Sequence, residues 1–226
     1  VQIFENTRVS AVEQMQSGAW QLNTPKGQIQ AEKVLLATNA YTSPLVGQLH
    51  KTLLKAQSFV IATAPLSAEL AATVLPTGAV CSDTRRSLVY FRKDAENRVV
   101  LGGRGKVSDP RNTQEWQHTE KELRQLFPQL AQTPIEYRWS GRIAITPDFM
   151  PHLHEPKPNL LIAIGYNGRG VGLATALGPQ LAAYLQNPKH PLPLPITPIT
   201  AIPAHFLQKL YLSAGITWYR FLDTIF

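Results

Sequence analysis

Apolar and polar positions along this chain follow two different periods. Arg8-Val9-Ser10-Ala11-Val12 and Ala19-Trp20-Gln21-Leu22-Asn23-Thr24 alternate as half-buried strands do, with Gly18 and Pro25-Lys26-Gly27 as turns between them. Val34-Leu35-Leu36-Ala37-Thr38 lacks that alternation and reads as a strand buried on both faces, ending in the polar turn Asn39-Ala40-Tyr41-Thr42. A meander that delivers a buried strand is an accessory to an α/β sheet and cannot complete one alone.

The texture then changes. Gln57 to Thr63 reads as a strand, and Ser87–Lys93 with Arg98–Gly103 reads as a hairpin around the loop Asp94-Ala95-Glu96-Asn97. Asn112 is expected to cap a helix with Glu115 as its capping-box partner. Trp116, Leu123, Leu126 and Phe127 share one face of that helix, and Pro128 stops it. Ile135-Glu136-Tyr137-Arg138-Trp139 returns to a strand. Antiparallel strands with a helix on one side predict an α+β lobe.

Further on, the apolar run Leu160-Leu161-Ile162-Ala163-Ile164 meets Gly165-Tyr166-Asn167-Gly168-Arg169-Gly170-Val171-Gly172, which opens into Leu173-Ala174-Thr175-Ala176-Leu177. This predicts a buried strand feeding a helix N-terminus, where unpaired N–H groups suit an electron-rich or anionic ligand atom. Gly178-Pro179 predicts a kink or restart of the helix. Pro188, Pro191, Pro193, Pro195, Pro198 and Pro203 then predict an irregular extended tail, and His205 to Phe226 one or two terminal helices. The expected organisation is interleaved: residues 1–45 and 141–187 in one α/β layer, residues 46–140 in an antiparallel lobe, and residues 188–226 as a proline-rich segment with helices. The fold class is α/β plus α+β.

Composition narrows the chemistry. With 226 residues, 44% hydrophobic and 16% charged, the chain can bury a sizeable core. The net charge of +7 is scattered, with Arg85-Arg86 and Arg92-Lys93 as isolated adjacent basic pairs, and aromatics do not alternate with basic residues. That distribution argues against a nucleic-acid platform. No apolar run approaches a membrane span. A single cysteine, Cys81, excludes an internal disulfide framework and fits a reducing, cytoplasmic setting. His152 and His154, with Pro151 and Pro156 around them, predict a surface loop rather than a metal site. A start at Val1, without methionine, is the expectation for a piece of something longer.

Three stretches resemble one family. Trp20-x-Leu22-x-Thr24-x-x-Gly27-x-Ile29-x-Ala31-x-x-Val34-Leu35-Leu36-Ala37-Thr38-Asn39-Ala40-Tyr41 is similar to FAD-dependent amine and amino-acid oxidases of the D-amino-acid oxidase superfamily. So is Trp139-Ser140-Gly141-Arg142 followed by Thr146-Pro147-Asp148-x-x-Pro151, and Gly165-Tyr166-Asn167-Gly168-Arg169-Gly170-Val171 resembles the family's flavin-contacting turn. The terminal helices after a proline-rich stretch look closest to gamma-glutamylputrescine oxidase-like members.

The resemblance implies the C-terminal part of an FAD-binding Rossmann-like domain with an inserted antiparallel substrate lobe. It also implies oxidation of a C–N bond to an imine, with O₂ reduced to H₂O₂. FAD would be bound non-covalently, Cys81 lying away from the later motifs. The G-x-G-x-x-G turn for the pyrophosphate belongs to the family's N-terminal half and is absent here. Gly102-Gly103-Arg104-Gly105 precedes no helix, and Gly168-x-Gly170-x-Gly172 has the wrong spacing. That half, upstream or on a second chain, is therefore an expected partner, beside a small amine substrate.

By the same resemblance Val9 would meet the adenine through its backbone, and Ala37, Thr38 and Asn39 the ribose or pyrophosphate. Gly165, Asn167, Gly168, Arg169, Gly170 and Val171 would hold the flavin end. Tyr90 and Arg92 on the hairpin, and Tyr137 and Trp139 on the later strand, are the candidate substrate contacts. Arg142 is the candidate partner of a substrate carboxylate. Amino-acid-oxidising relatives carry an arginine one position later, where this chain has Ile143, which favours a polyamine or N-substituted amine. No general base stands out. The competing readings are a non-catalytic remnant or interaction module, and an RNA-modification oxidase domain.

Overall fold

The computed structural model describes residues 1–225, apart from the side chains of Arg220 and Thr224. Its strands are β1 (Ala11–Gln14), β2 (Trp20–Thr24), β3 (Gly27–Ala31), β4 (Val34–Leu36), β5 (Leu54–Thr63), β6 (Cys81–Ser82), β7 (Val89–Lys93), β8 (Val99–Arg104), β9 (Ile135–Ile145), β10 (His152–Lys157) and β11 (Leu160–Ile164). Its helices are α1 (Ala68–Thr73), α2 (Gln117–Leu126), α3 (Gly170–Gln186) and α4 (Gln208–Ile225). Two compact units result: residues 1–54 with 143–205, and residues 55–142 with the segment from Phe206 onward. The proline-rich segment thus goes with the first unit and α4 with the second. Phe226, the last residue of the expected terminal helices, lies outside the described residues.

In the first unit β1, β2 and β3 form the expected antiparallel meander, and Trp20 packs with Val34 and Leu160. β1 starts at Ala11, so Val9 lies ahead of it rather than within a strand, although the Ser10 N–H still donates to Asn23 O at 2.8 Å. A second sheet runs β10-β11-β4, with β4 parallel to β11. β11 is buried on both faces, as its unbroken apolar run requires. Ile162 and Ile164 join Leu36, Leu49, Leu53 and Ala144, while Leu161 and Ala163 meet Leu177 and Leu181 of α3. β4 departs from the expectation. Leu35 stands 39% exposed between buried Val34 and Leu36, because among the described residues β4 is an edge strand.

Two further expectations fail here. His152 and His154 belong to strand β10, not to a surface loop. Pro156 is accommodated because the β10–β11 ladder shifts register between His154 and Lys157, where no proline N–H is needed. The proline-rich segment is extended, as expected, and it is held against the first unit. Ile196 bridges Leu153, the Thr197 N–H donates to Leu153 O at 2.8 Å, and Leu192 and Leu194 pack against the α3 cluster. The helix α3 does not restart at Gly178-Pro179. It runs on as one helix, because buried Leu177 and Leu181 hold the turns on either side of the proline against one core.

The second unit is a sheet of order β6-β7-β8-β5-β9. The hairpin forms as expected, with the Asp94 carboxylate accepting the N–H groups of Glu96 and Arg98 and Asn97 in the left-handed region at φ 61°. Phe59, Ile61, Val89, Val99 and Leu101 project to the side covered by α2. Trp116 stacks on Phe59 with ring centroids 4.7 Å apart. The predicted cap differs. Asn112 makes no side-chain cap, a 3-10 turn (Thr113–Trp116) precedes α2, and the Glu115 carboxylate instead takes the Arg111 N–H at 3.1 Å. Leu126 is 39% exposed while Leu123 is fully buried, so the apolar face is narrower than its pattern.

Neither α1, capped by the Ser67 hydroxyl, nor the two-residue β6 carries enough pattern to be predicted. α4 lies across the ends of β5, β8 and β7. Gln208 Oε1 accepts the Lys55 N–H, the Tyr219 ring faces the Arg104 guanidinium at 5.9 Å, and the Asp223 carboxylate accepts the N–H groups of Arg86 and Ser87, each at 2.9 Å.

Candidate functional site

The parallel register Leu36↔Ile162 brings the carboxyl ends of β4 and β11 to the same side of their sheet. Ligands of open α/β sheets bind at such ends. Two turns meet there. Asn39, at φ 44°, points its side-chain oxygen at the glycine turn and accepts the Gly165 N–H at 3.0 Å. Ala37 is exposed at the strand end, and Thr38 Oγ1 shares a 2.7 Å hydrogen bond with the buried Thr42 hydroxyl. Val9 is half-buried.

Gly165 has two reasons to be glycine. Its φ is +81°, and a Cβ there would come within 2.4 Å of Thr146 Cγ2. Asn167 closes the turn. Its backbone N–H donates to Ala144 O, its side-chain oxygen accepts the Thr146 N–H at 2.9 Å, and its side-chain NH₂ donates to Gly165 O and Thr146 Oγ1. Gly168, at φ +83°, and Arg169 are exposed, and α3 begins at Gly170. No side chain caps α3 and no acidic residue stands in its first turn. The partial positive charge and first N–H groups of α3 are therefore left for an outside acceptor. Val171 is fully exposed at this end.

In the second unit the register sorts the lobe candidates. Tyr90, Gly102 and Val60 form one row across β7, β8 and β5, and Arg92, Val100 and Ala62 the next, on the face opposite α2. Tyr90 lies flat across Gly102, where a Cβ would approach the ring to 2.3 Å, and its hydroxyl meets Ser58 Oγ at 2.6 Å. On β9, Arg138 turns toward α2 and pairs with Glu120 at 2.7 Å, so Tyr137 and Trp139 alternate to the other face. They are 49% and 45% exposed, and the Arg98 guanidinium lies 5.0 Å from the Tyr137 ring. Tyr90, Arg92, Tyr137 and Trp139 therefore share one face. Arg142 does not join them. It shares the parity of Arg138 and forms a two-pronged pair with Asp109.

A profile of the family described as "DAO: FAD dependent oxidoreductase" matches residues 1–184. This chain belongs to the DAO family of FAD-dependent oxidoreductases. It is 30% identical over 230 residues to "Probable oxidoreductase OrdL" of Haemophilus influenzae, covering 99% of this chain and 52% of that protein. It is 33% identical over 167 residues to "Gamma-glutamylputrescine oxidoreductase" of Escherichia coli, covering 73% of this chain and 39% of that one. The fold matches the crystal structure of glycine oxidase from Geobacillus kaustophilus, with a TM-score of 0.66, 18% identity, and coverage of 88% of this chain and 53% of the other. The chain thus spans about half the length, or less, of the relatives it matches. Oxidase folds of this family have mixed α/β sheets, as here.

Membership implies FAD, and the donors present at the α3 end fit an electron-rich group. Among the described residues no cluster of three or more His, Cys, Asp or Glu is arranged to hold a metal ion, and no helix is long and apolar enough to cross a membrane. The sequence reading missed Ser58, Gly102 and Asp109. For Gly102 a signal existed: a glycine inside a strand marks a close approach, here by the Tyr90 ring. Ser58 and Asp109 gain their roles only through partners 32 and 33 residues away.

Proposed function

We propose that this chain carries the redox end of an FAD site in an amine oxidase. The pyrophosphate would be bound by the portion of the relatives' length that the chain does not span. The observation that carries the reading is the meeting of the β4 and β11 turns through Asn39 and Gly165. Gly168, Gly170 and Val171 would present backbone N–H groups, and Arg169 a cation, to the flavin end, while Gly165, whose N–H is taken by Asn39, would shape the turn. Ala37, Thr38 and Asn39 would face the ribose or pyrophosphate, and Val9 the adenine through its backbone. Asn167 serves by holding the turn, since both ends of its amide are engaged within it.

When bound, FAD would supply the acceptor for a hydride equivalent from the C–H bond beside the amine nitrogen, with O₂ as the final oxidant. The protein's part is electrostatic and orientational. An uncapped helix end and Arg169 stabilise negative charge that develops beside them. The aromatic face of Tyr90, Tyr137 and Trp139, with Arg92, orients the amine. Ile143, in place of the arginine of amino-acid-oxidising relatives, and the name of the E. coli relative favour an N-substituted amine. A cytoplasmic setting accords with the single Cys81. Alone, residues 1–226 would bind FAD weakly or not at all, with β4 exposed as an edge.

The test is the absorbance of the polypeptide encoded by the complete reading frame. Flavin bands after reconstitution with FAD are expected, and a colourless protein would sink the reading. Peroxide release with N-substituted putrescines should exceed that with glycine or sarcosine. Tight FAD binding by residues 1–226 alone, in a fluorescence titration, would overturn the divided-site reading.

A further inference from the structure

A second concave site lies within the second unit, on the side of β9 away from the aromatic face. Lys55 and Gln57 of β5, Asp109 of the connection after β8, Arg142 of β9, and Gln208 with Lys209 at the start of α4 frame a cavity of about 330 Å³. Three of these side chains are cationic and one is a carboxylate. That carboxylate is already engaged: Asp109 accepts from Arg142 Nε at 2.9 Å, from a second Arg142 nitrogen, and from the side-chain amide of Gln57. Gln57 is 3% exposed, so this donor is aimed into the site from the interior. Asp109, in contrast, comes from a connection without helix or strand and its side chain is 56% exposed. A planar fork from Arg142 beside a buried amide is the arrangement that recognises a carboxylate.

We propose that this cavity binds a small-molecule carboxylate between Lys55, Lys209 and Arg142, and that Asp109 is its built-in competitor. The ligand's carboxylate takes the Arg142 fork and the Gln57 amide, and Asp109 swings out to solvent. Charge favours the exchange, since the lining holds more positive than negative groups. In keeping with this, burial and the neighbouring Arg142 both disfavour the charged form of Lys55, and Asp109 offsets them only in part. A second anion beside Lys55 relieves that crowding. Releasing Asp109 is offset by the exchange itself, because the incoming carboxylate takes over the same Arg142 and Gln57 donors. The inference goes beyond the redox reading and does not need FAD.

The 226-residue chain is titrated with glutarate by isothermal calorimetry, with glutaramide as the uncharged control and inorganic phosphate as a competitor. Asp109→Asn keeps the shape and removes the competing charge, so it should bind glutarate about three- to tenfold more tightly than the parent chain. Lys55→Met with Lys209→Met should weaken binding at least tenfold. Thermal melts check that each variant is folded, and Lys55→Met alone serves if the double variant is not. Affinity indifferent to both the Asp109 and the Lys55 changes would overturn the proposal. So would glutaramide binding as well as glutarate, or phosphate displacing glutarate at equal concentration, which would reassign the cavity to phosphate. Because the readout is binding, failure here leaves the flavin absorbance test untouched.

Discussion

The side-chain oxygen of Asn39 accepts the backbone N–H of Gly165 at 3.0 Å, across 126 residues of sequence. The bond joins the ends of two parallel strands whose turns both carry left-handed residues, Asn39 at φ 44° and Gly165 at φ +81°. Asparagine suits its place twice, tolerating the left-handed region and supplying the acceptor.

Asn39→Ala should therefore destabilise the first unit by about 1–3 kcal/mol, through a lost part-buried hydrogen bond and backbone strain together. Asn39→Asp, which retains an acceptor of the same length, should recover most of the loss. Denaturant midpoints measure both. Equal losses in the two variants would show that the acceptor is not what matters.

Gly165→Ala combines positive φ with a 2.4 Å overlap on Thr146 Cγ2. A loss of about 2–4 kcal/mol is expected from strain plus overpacking. Thr146→Ser removes the obstructing methyl but keeps the hydroxyl that donates to Met150 O at 2.9 Å. In the double variant the steric part should return and the φ part remain, giving a coupling of about 1 kcal/mol or more. Strict additivity would disprove the contact.

These positions show what the sequence could and could not reveal. The run Leu160 to Ile164 followed by glycines identifies a buried strand and helix start because burial on both faces removes alternation. β4 carries a similar run but sits at an edge, so Leu35 is exposed. Strand pairing is non-local, and a pattern of three residues cannot tell an edge from a centre. His154 was illegible for the same reason. Proline neighbours suggested a loop, whereas pairing with β11 and cover from Thr197 made a buried strand. Alternation alone puts Tyr90 with Arg92 and Tyr137 with Trp139, whereas bringing the two pairs to one face required the strand register and the Arg138–Glu120 pair. The separation of Arg142 from them required Asp109, which no local pattern links to it.

Gly102→Ala tests the aromatic face. The new methyl would meet the Tyr90 ring at 2.3 Å and lift it from Ser58. On a sheet surface the ring has room to leave, so stability should fall by only about 1–2 kcal/mol. The larger effect should be on turnover by the complete enzyme, with KM for the amine rising about tenfold or more. Tyr90→Phe, which keeps the ring and loses the hydroxyl bond, should change KM much less. If Tyr90→Phe matches Gly102→Ala, the hydroxyl rather than the ring plane positions the substrate.

His154 is 1% exposed in β10, its Nδ1–H donates to Thr197 O at 2.8 Å, and its ring meets that of His152 edge-on at 5.7 Å. Burial first, and the neighbouring His152 in addition, push its pKa below the ordinary value, so the folded protein holds it neutral. The unfolded chain takes up a proton near pH 6.5, roughly the unperturbed value, before the folded protein does. The contribution of His154 to stability is thus complete above that pH and is lost as pH falls toward the lower folded value, with a slope of up to about 1.4 kcal/mol per pH unit. His154→Asn keeps a donor for Thr197 O but has no proton to gain. Between pH 7 and pH 5 the variant should lose less stability than the parent chain, even if it is less stable at pH 7. Urea midpoints at the two pH values give the comparison. Parallel losses in both proteins would mean that the other histidines, not His154, carry the acid sensitivity of the fold.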